Sequence, residues 1–444
     1  MKVTSMKLAL FPAAMALLCA CPSPALAQPS GQGGGPTLEV GGLYQSAIDA
    51  DPRLRALQLQ ADQTDLRLRN IEAERLPSIN AEGQAQYQSD VVTSPVLLPG
   101  GQPLFAPPKD TYDAHVRIDQ RLLDPTTRPR VAAERAQLAE AQARIRTTLF
   151  GLRQEVNEAF FAAALIQERR GTLAATIADL EGRLREMNVR VREGAALSAD
   201  AAAVEATLLQ RRQDEAELGA TRRAALARLS RLTGRSIAET DILALPQLTE
   251  AVTRARATVD DARARPEYAQ FTRTRERLAR QQEVVTAQDL PRVSAFARVG
   301  VGRPGLNFIS DQFEPYGLAG VQVQWKPWTW GTTNREREAL ALQQQIVATD
   351  EAAFTKSLGR STEADLAAID RLGMALTLDD RIIALREEIE RSMQARFRER
   401  VVTAADYLER STELLQARFA RTGHLVELAQ ASAKFLTTLG LEVR

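Results

Sequence analysis

Ile79-Asn80-Ala81-Glu82-Gly83-Gln84-Ala85-Gln86-Tyr87-Gln88-Ser89-Asp90-Val91 is the stretch that decides how this chain folds. Its odd positions are mostly apolar or small. Its even positions, Asn80, Glu82, Gln84, Gln86, Gln88 and Asp90, are all polar. Successive side chains of a strand point to opposite sides, so a period of two predicts a strand with one dry and one wet face. Three more segments repeat the pattern. In 112–122, Tyr112, Ala114, Val116, Ile118 and Leu122 alternate with Asp113, His115, Arg117, Asp119 and Arg121. In 293–301 one face carries Val293, Ala295, Ala297, Val299 and Val301, and in 317–325 Ala319, Val321, Val323 and Trp325 stand opposite Gln322 and Gln324. A length of about ten residues suits a tilted strand crossing a bilayer. The connections 92–110 and 302–315 are rich in Pro and Gly and read as the loops of two hairpins.

The chain between and beyond the hairpins has another character. No proline lies between Arg130 and Leu245, and none follows Pro327. Both stretches are rich in Ala, Leu, Arg, Glu and Gln, the strong helix formers. Leu138, Ile145, Leu149, Leu152, Val156, Phe160 and Ala163 recur at steps of three, four or seven, the stripe of a helix packed along another helix. From Thr126 to about Arg192 the pattern is nearly continuous, which at ~1.5 Å per residue spans on the order of 100 Å.

The sequence also repeats itself. Glu74-Arg75-Leu76-Pro77-Ser78-Ile79 before the first hairpin is answered by Gln288-Asp289-Leu290-Pro291-Arg292-Val293 before the second. After the hairpins, Pro125-Thr126-Thr127 is answered by Gly331-Thr332-Thr333. Each copy reads helix, strand, loop, strand, long helix, turn, helix, so the architecture is that of a duplicated unit. The expected organisation is a signal peptide at 1–27, a flexible mature N-terminus at 28–36, a first repeat at 37–235, an irregular linker at 236–259 and a second repeat at 260–444. The strands fall at about 79–91, 112–122, 293–301 and 317–325.

Residues 1–27 open with Lys2 and Lys7, continue through the apolar run 8–20, break at Pro22 and Pro24, and end on Ala25-Leu26-Ala27. That is the pattern of a secretory signal. Leu18-Cys19-Ala20-Cys21 offers a competing lipoprotein reading, in which Cys21 is acylated. Cys19 and Cys21 are the only cysteines, and His115 and His424 the only histidines. This inventory argues against a Cys/His metal site, a thiol nucleophile or a His-based triad, and the expectation is no catalytic residue, no metal and no cofactor. A formal charge of +1 gives no basic face for nucleic acid. Hydrophobic residues make up 44%, but after the signal no apolar run approaches the ~20 residues of a membrane helix, so any membrane crossing must use the strands.

Four strands cannot close around a packed interior, since about eight is the practical minimum, and an open edge is not tolerated in lipid. Two, three or four chains in cyclic symmetry would supply eight, twelve or sixteen strands. The polar face from Asn80 to Gln88 would then line a wet lumen that the helices continue.

The order of elements, the duplication and the Leu76-Pro77-Ser78 junction resemble TolC-type outer-membrane efflux proteins over roughly 37–440. The two helical turns carry the most specific match. The family pattern there is an aromatic residue, a charged residue, Gly, and an Asp six positions after that Gly. The first turn reads Arg192-Glu193-Gly194-Ala195-Ala196-Leu197-Ser198-Ala199-Asp200. The second reads Arg396-Phe397-Arg398-Glu399-Arg400-Val401-Val402-Thr403-Ala404-Ala405-Asp406-Tyr407-Leu408-Glu409.

The resemblance implies an α+β membrane protein built from two tandem repeats. It implies a homotrimer whose four strands per chain form a twelve-stranded β-barrel, continuous with a long periplasmic α-helical barrel. The implied function is the outer-membrane exit duct of a tripartite efflux or type I secretion system. Its partners would be outer-membrane lipid, a periplasmic adaptor (membrane fusion) protein and an inner-membrane pump of RND, ABC or MFS type. By the same resemblance Asp406, Glu409 and Asp200 belong to the channel constriction, and Gly194, Leu197, Ser198, Arg400, Val401 and Thr403 to adaptor-docking turns. Three carboxylates around a narrow axis attract cations and raise one another's pKa.

The sequence departs from the family at Arg400, where the pattern has Gly, so a differently shaped second turn is expected. Phe397 and Val402 stand where the closing contacts use Tyr and Arg, and Arg398 and Arg400 are the candidates to replace them. The bland alternatives are an N-terminal helix charge for Asp406 and Glu409 and ordinary N-caps for Ser198 and Asp200. Trp325, Trp328 and Trp330, the only tryptophans, read as a membrane-interface belt, or else as packing at a strand–helix corner. The competing function is a secreted coiled-coil scaffold or adhesion protein with no transport role.

Overall fold

A computed structural model of the chain describes residues 35–443, except 97, 102, 104, 106, 258–263 and 308–309. The expected signal peptide, with Cys19 and Cys21, lies outside the described residues. The chain begins with β1 (Thr37–Leu38), α1 (Val40–Ala50) and α2 (Arg53–Ala73), then the hairpin β2 (Ser78–Tyr87) and β3 (Asp110–Leu123). The long helix α3 (Thr127–Arg192) and its return α4 (Ser198–Thr233) complete the first repeat. Next come β4 (Ile242–Leu243) and α5 (Thr249–Arg256). The second repeat has α6 (Pro266–Ala287), β5 (Arg292–Arg303), β6 (Glu314–Gln324), α7 (Thr332–Arg398) and α8 (Ala404–Thr438).

The duplication is nearly isometric: α3 and α7 have 66 and 67 residues, and α4 and α8 have 36 and 35. At ~1.5 Å per residue the long helices reach on the order of 100 Å. The first strand ends at Tyr87 rather than 91 and the fourth at Gln324 rather than 325, while the second and third extend past both edges of the expected ranges.

The four long strands form one antiparallel sheet in the order β2-β3-β5-β6. Its register places like with like. Ile79, Ile118, Ala297 and Ala319 stand side by side, as do Ala81, Val116, Val299 and Gly317. The alternate face carries Glu82, His115, Gly300 and Tyr316 in one row and Asn80, Arg117, Arg298 and Leu318 in the next. A one-residue slip would exchange the faces, so the apolar alternation excludes it. On the polar face Asp113 accepts from His115 Nδ1 at 2.7 Å, and Arg117 Nε donates to Asp119 at 2.8 Å. Phe296 is an apolar exception there. It faces Gly320, whose position leaves no room for a Cβ, which would come within 2.9 Å of the ring.

The apolar face is bare in the single chain: Ile79 is 70% exposed, Val299 68% and Val323 65%. The sheet edges β2 and β6 have no strand partner among the described residues.

Where the sheet meets the helices, Glu74 at the end of α2 accepts from Arg130 on α3 at 2.6 and 2.7 Å, and from Arg121 on β3. The bonds from Arg130, helped by Arg121 and opposed by burial, hold the Glu74 carboxyl down at about 2. The second repeat solves the same corner differently: Thr333 Oγ1 donates to Asp289 at 2.8 Å and Trp325 Nε1 to the Asp289 carbonyl at 3.0 Å.

The segment 236–259, expected to be irregular, holds ordered elements. β4 pairs in parallel with β1, Thr37 beside Ile242 and Leu38 beside Leu243. Gln167 of α3 clamps this pair, donating to the Leu243 carbonyl at 3.1 Å and accepting from its N–H at 3.0 Å. Arg222 of α4 donates to the carbonyl of Asp241 at 2.9 Å. These side chains satisfy backbone groups that a two-residue ladder leaves over, an interaction invisible to any local pattern. Of the expected flexible terminus, residues 28–34 lie outside the described residues, while the Gly35 N–H bonds to the Thr240 carbonyl at 2.9 Å.

Around this belt lies the larger apolar core, with Phe160, Phe161, Leu229, Phe435 and Leu436 fully buried. A second core, nearer the helical turns, gathers Leu173, Leu180, Val204, Leu208, Tyr407 and Leu415.

The shared faces of the sheet predict the outcome of cysteine labelling in native membranes. Cysteines at Ala81, Ala85 or Val116 should be shielded from water-soluble thiol reagents, and those at Gln84 or Arg117 should react. Equal reactivity of the two sets would contradict the assignment of a lipid-facing and a lumen-facing side.

Candidate functional site

The two helical turns lie together at the end of the long helices. At the first, Gly194 has φ +71° and closes α3 with paired bonds, Ala195 N–H to the Arg190 carbonyl at 2.7 Å and Gly194 N–H to that of Val191 at 3.0 Å. At the second, Arg400 has φ +66°, and the same two bonds recur from Val401 to Arg396 at 2.9 Å and from Arg400 to Phe397 at 3.2 Å. Both are Schellman closures.

The expectation that Arg400 would reshape the turn is therefore corrected. The left-handed conformation costs an L-residue about 1–2 kcal/mol, and the arginine adopts it nonetheless. Its guanidinium donates through Nη2 to the Ala195 carbonyl, bridging the second turn to the first.

The helices leaving the turns start differently. Leu197 is the N-cap of α4 without a side-chain bond, so neither Ser198 nor Asp200 caps it. Asp200 has no side-chain bond or ion pair among the described residues. Thr403 caps α8 in a reciprocal box: its hydroxyl accepts from the Asp406 N–H at 3.2 Å, and Asp406 Oδ2 accepts from the Thr403 N–H at 3.0 Å and from its hydroxyl at 2.7 Å. These bonds from Thr403 hold the Asp406 carboxyl below the usual range, with Arg410 adding a smaller pull. In the single chain this is opposite in direction to the rise expected of clustered carboxylates. Glu409 is exposed and lies 3.2 Å from Arg410.

Between the turns is a cleft of about 370 Å³, floored by Met187 and Phe397 and walled by Gly194, Leu197, Arg400, Val401, Thr403, Asp200 and Asp406. Tertiary structure thus gathers most of the residues singled out in the sequence. Ser198 and Glu409 stand outside the cleft. Leu197 and Val401 project from it, 70% and 68% exposed.

The sequence reading missed Tyr407, the neighbour of Asp406. It is 1% exposed, stacks on Phe397 with centroids 5.7 Å apart, and donates its hydroxyl to Glu390 at 2.6 Å. A lone tyrosine one residue past the motif carries no local signal of this.

The tryptophans lie between β6 and the start of α7, at the opposite end of α7 from the turns. Trp328 and Trp330 meet edge to face at 5.7 Å and are 72% and 79% exposed, with Trp330 held at φ +54° next to Gly331 at +73°. Trp325 is tied into the strand–helix corner by its bond to the Asp289 carbonyl. Among the described residues no group of His, Asp and Glu is arranged to hold a metal ion, and no helix is long and apolar enough to cross a membrane.

The architecture to be compared with known proteins is a duplicated helix–hairpin–helix unit with one bare apolar sheet face and helices far longer than any globular core. Residues 43–235 match the family model described as outer membrane efflux protein. A comparison with curated proteins finds no match.

Among solved structures, CusC superposes with a TM-score of 0.66 at 13% identity, covering 90% of this chain and 92% of that one. The outer membrane protein VceC of Vibrio cholerae gives 0.63 at 15% identity, over 91% and 97%. The outer membrane channel MtrE of Neisseria gonorrhoeae gives 0.62 at 18%, over 91% and 89%. At these identities the likeness speaks for the fold, and it extends over the second repeat, which the family model leaves unmatched. The recognition read from the turns agrees with both comparisons: the chain resembles the TolC-type outer membrane efflux proteins.

The capping box makes a direct prediction. Thr403→Ala should destabilise the start of α8 by about 1 kcal/mol, and Thr403→Ser should restore it. Faster hydrogen exchange at the amides of Asp406 and Tyr407 in the alanine variant alone would report the loss.

Proposed function

We propose that the chain is one protomer of a homotrimeric exit duct in the outer membrane, with its helices in the periplasm. In this role it passes substrates delivered by an inner-membrane pump and a periplasmic adaptor, as in tripartite efflux or type I secretion. The observation that carries the reading is the sheet: four strands with one exposed apolar face, two unpaired edges, and helices of 66 and 67 residues running directly from β3 and β6.

Lipid can cover the apolar face, but unpaired backbone groups in lipid cost several kcal/mol each. In a closed ring the two neighbouring copies pair both edges, because β2 of one chain runs antiparallel to β6 of the next. Three copies give twelve strands, the number that likeness to TolC-type proteins favours among the symmetric options. The protein is then a conduit and not an enzyme. A secreted scaffold would have no use for an apolar face presented by all four strands.

Within the duct, Asp406 and Glu409 form acidic rings at the periplasmic constriction, with Asp200 beside them. The exposed Leu197 and Val401, with the cleft behind them, receive the adaptor. Trp325, Trp328 and Trp330 mark the inner membrane interface, where indoles favour the headgroup level.

Two measurements test this. The protein should fractionate with outer membranes and run as a trimer after mild detergent extraction, and a soluble periplasmic monomer would refute the duct. In planar bilayers, Asp406→Asn with Glu409→Gln should lower cation preference, read as a shift of reversal potential toward zero, and weaken block by multivalent cations from the periplasmic side. Glu193→Gln should do much less. An unchanged ion preference in the double variant would show that the two carboxylates are ordinary helix-start charges.

A further inference from the structure

Five arginines lie on the four long strands, and four of them have a carboxylate partner. Arg117 is 2.8 Å from Asp119, Arg121 meets Glu74, Arg292 lies 3.9 Å from Asp124 and Arg303 3.3 Å from Asp110. Arg298 is the exception. It makes no ion pair among the described residues, and its Nε is enclosed without a hydrogen-bond partner. The group in contact with its side chain is the neutral Tyr316 hydroxyl.

The register sharpens the anomaly. Arg117 and Arg298 are direct partners across β3 and β5, on the polar face. Like charges directly opposite one another destabilise a strand pair, and the carboxylates around this pair are already engaged. Asp119 accepts from Arg117 Nε with both oxygens, at 2.8 and 3.0 Å. Asp113 accepts from His115 and from the Tyr316 hydroxyl, and Glu82 lies 3.4 Å from His115. Glu314 stands four residues from Leu318 along β6, about 13 Å nearer the loops at ~3.3 Å per residue. Arg117 is also held from below, with its guanidinium 5.5 Å from the centre of the Phe296 ring. The result is a preset pair of cationic groups with one positive charge left over.

We propose that Arg117 and Arg298 form an anion station on the polar face, which binds the oxyanion group (phosphate, sulfate or carboxylate) of a solute in the barrel. The inference rests on the reading of the chain as a duct and adds a chemical class to its cargo, solutes that carry such a group. A planar guanidinium presents paired donors that match the oxygens of an oxyanion, and an anion between the two arginines relieves their repulsion. In a ring of three copies, symmetry sets every Arg117–Arg298 pair at the same height, so the belt surrounds the lumen. It lies in the barrel, far from the carboxylates of the helical turns.

Asn80 stands beside Arg117 in the same row and can carry the reporter. The Asn80→Cys variant, in outer membranes, is treated with two small methanethiosulfonates, one bearing a sulfonate and one a trimethylammonium group. Relative to their rates with a free thiol, the sulfonate should react about tenfold faster, the enrichment expected beside a charged wall. Adding Arg298→Gln should bring the ratio close to that of a free thiol, whereas Arg298→Lys should preserve most of it. Gln84→Cys, beside Asp113 in the row nearer the loops, should favour the cationic reagent. Inorganic phosphate should slow the sulfonate reaction of Asn80→Cys several-fold more than chloride at matched ionic strength. This arm leaves both arginines intact, so it holds even if Arg298→Gln fails to assemble. Equal preference for the two reagents, or phosphate acting no more strongly than chloride, would overturn the station alone. An Asn80→Cys variant no more reactive than Ala81→Cys would overturn the faces of the barrel, and the station with them.

Discussion

Along β2 and β6 run two rows of backbone N–H and C=O groups that find no partner strand among the described residues. In water such edges are a liability, and in lipid they are not tolerated. The apolar face that commits the sheet to a bilayer, Ile79 through Val323, is the same feature that makes its edges intolerable there. In the duct we propose, pairing of copies resolves that conflict: the polar face, with Glu82, Asp113, His115 and Arg117, turns inward, and the helices that follow β3 and β6 continue the wall of the barrel.

The two repeats show how far a duplicated backbone can drift in side chains while keeping its shape. Gly194 and Arg400 occupy the same left-handed position and close their helices with the same pair of bonds. One does so without strain, the other against its own preference. The arginine's bond to the Ala195 carbonyl joins the turns, something a glycine could not do. The strand–helix corners have diverged likewise. The first is bound by Glu74 between two arginines, the second by Asp289, a threonine hydroxyl and an indole N–H. In each case the geometry needs a tie at that point, and different chemistry supplies it.

The helical region is held by two kinds of contact with different reach. Apolar cores at the β1–β4 belt and near the turns bind the hairpins to each other. Exposed ion pairs along α7 and α8, individually weak in water, set register within one hairpin. Arg183 and Glu390, with side chains 19% and 14% exposed, cross between the hairpins near the turns, while the more buried Asp365 and Asp379 pair within the second hairpin.

Sequence alone determined the strands, the long helices, the duplication and the faces of the sheet, because each is a local periodicity imposed by the backbone: two residues in the strands, three and a half in the helices. The register of β3 on β5, with Val116 beside Val299, was left open, because a slip of two residues keeps the same faces together. Tertiary structure decided what periodicity does not encode. The clamp of Gln167 on Leu243, the burial of Tyr407 against Glu390 and the bridge from Arg400 to Ala195 join residues from distant parts of the chain. Each depends on where a helix ends up, not on its composition. The conformation of Arg400 was undecidable from its identity for a related reason: a penalty of about 1–2 kcal/mol is small against the bonds and packing that fix the turn, so context overrides propensity.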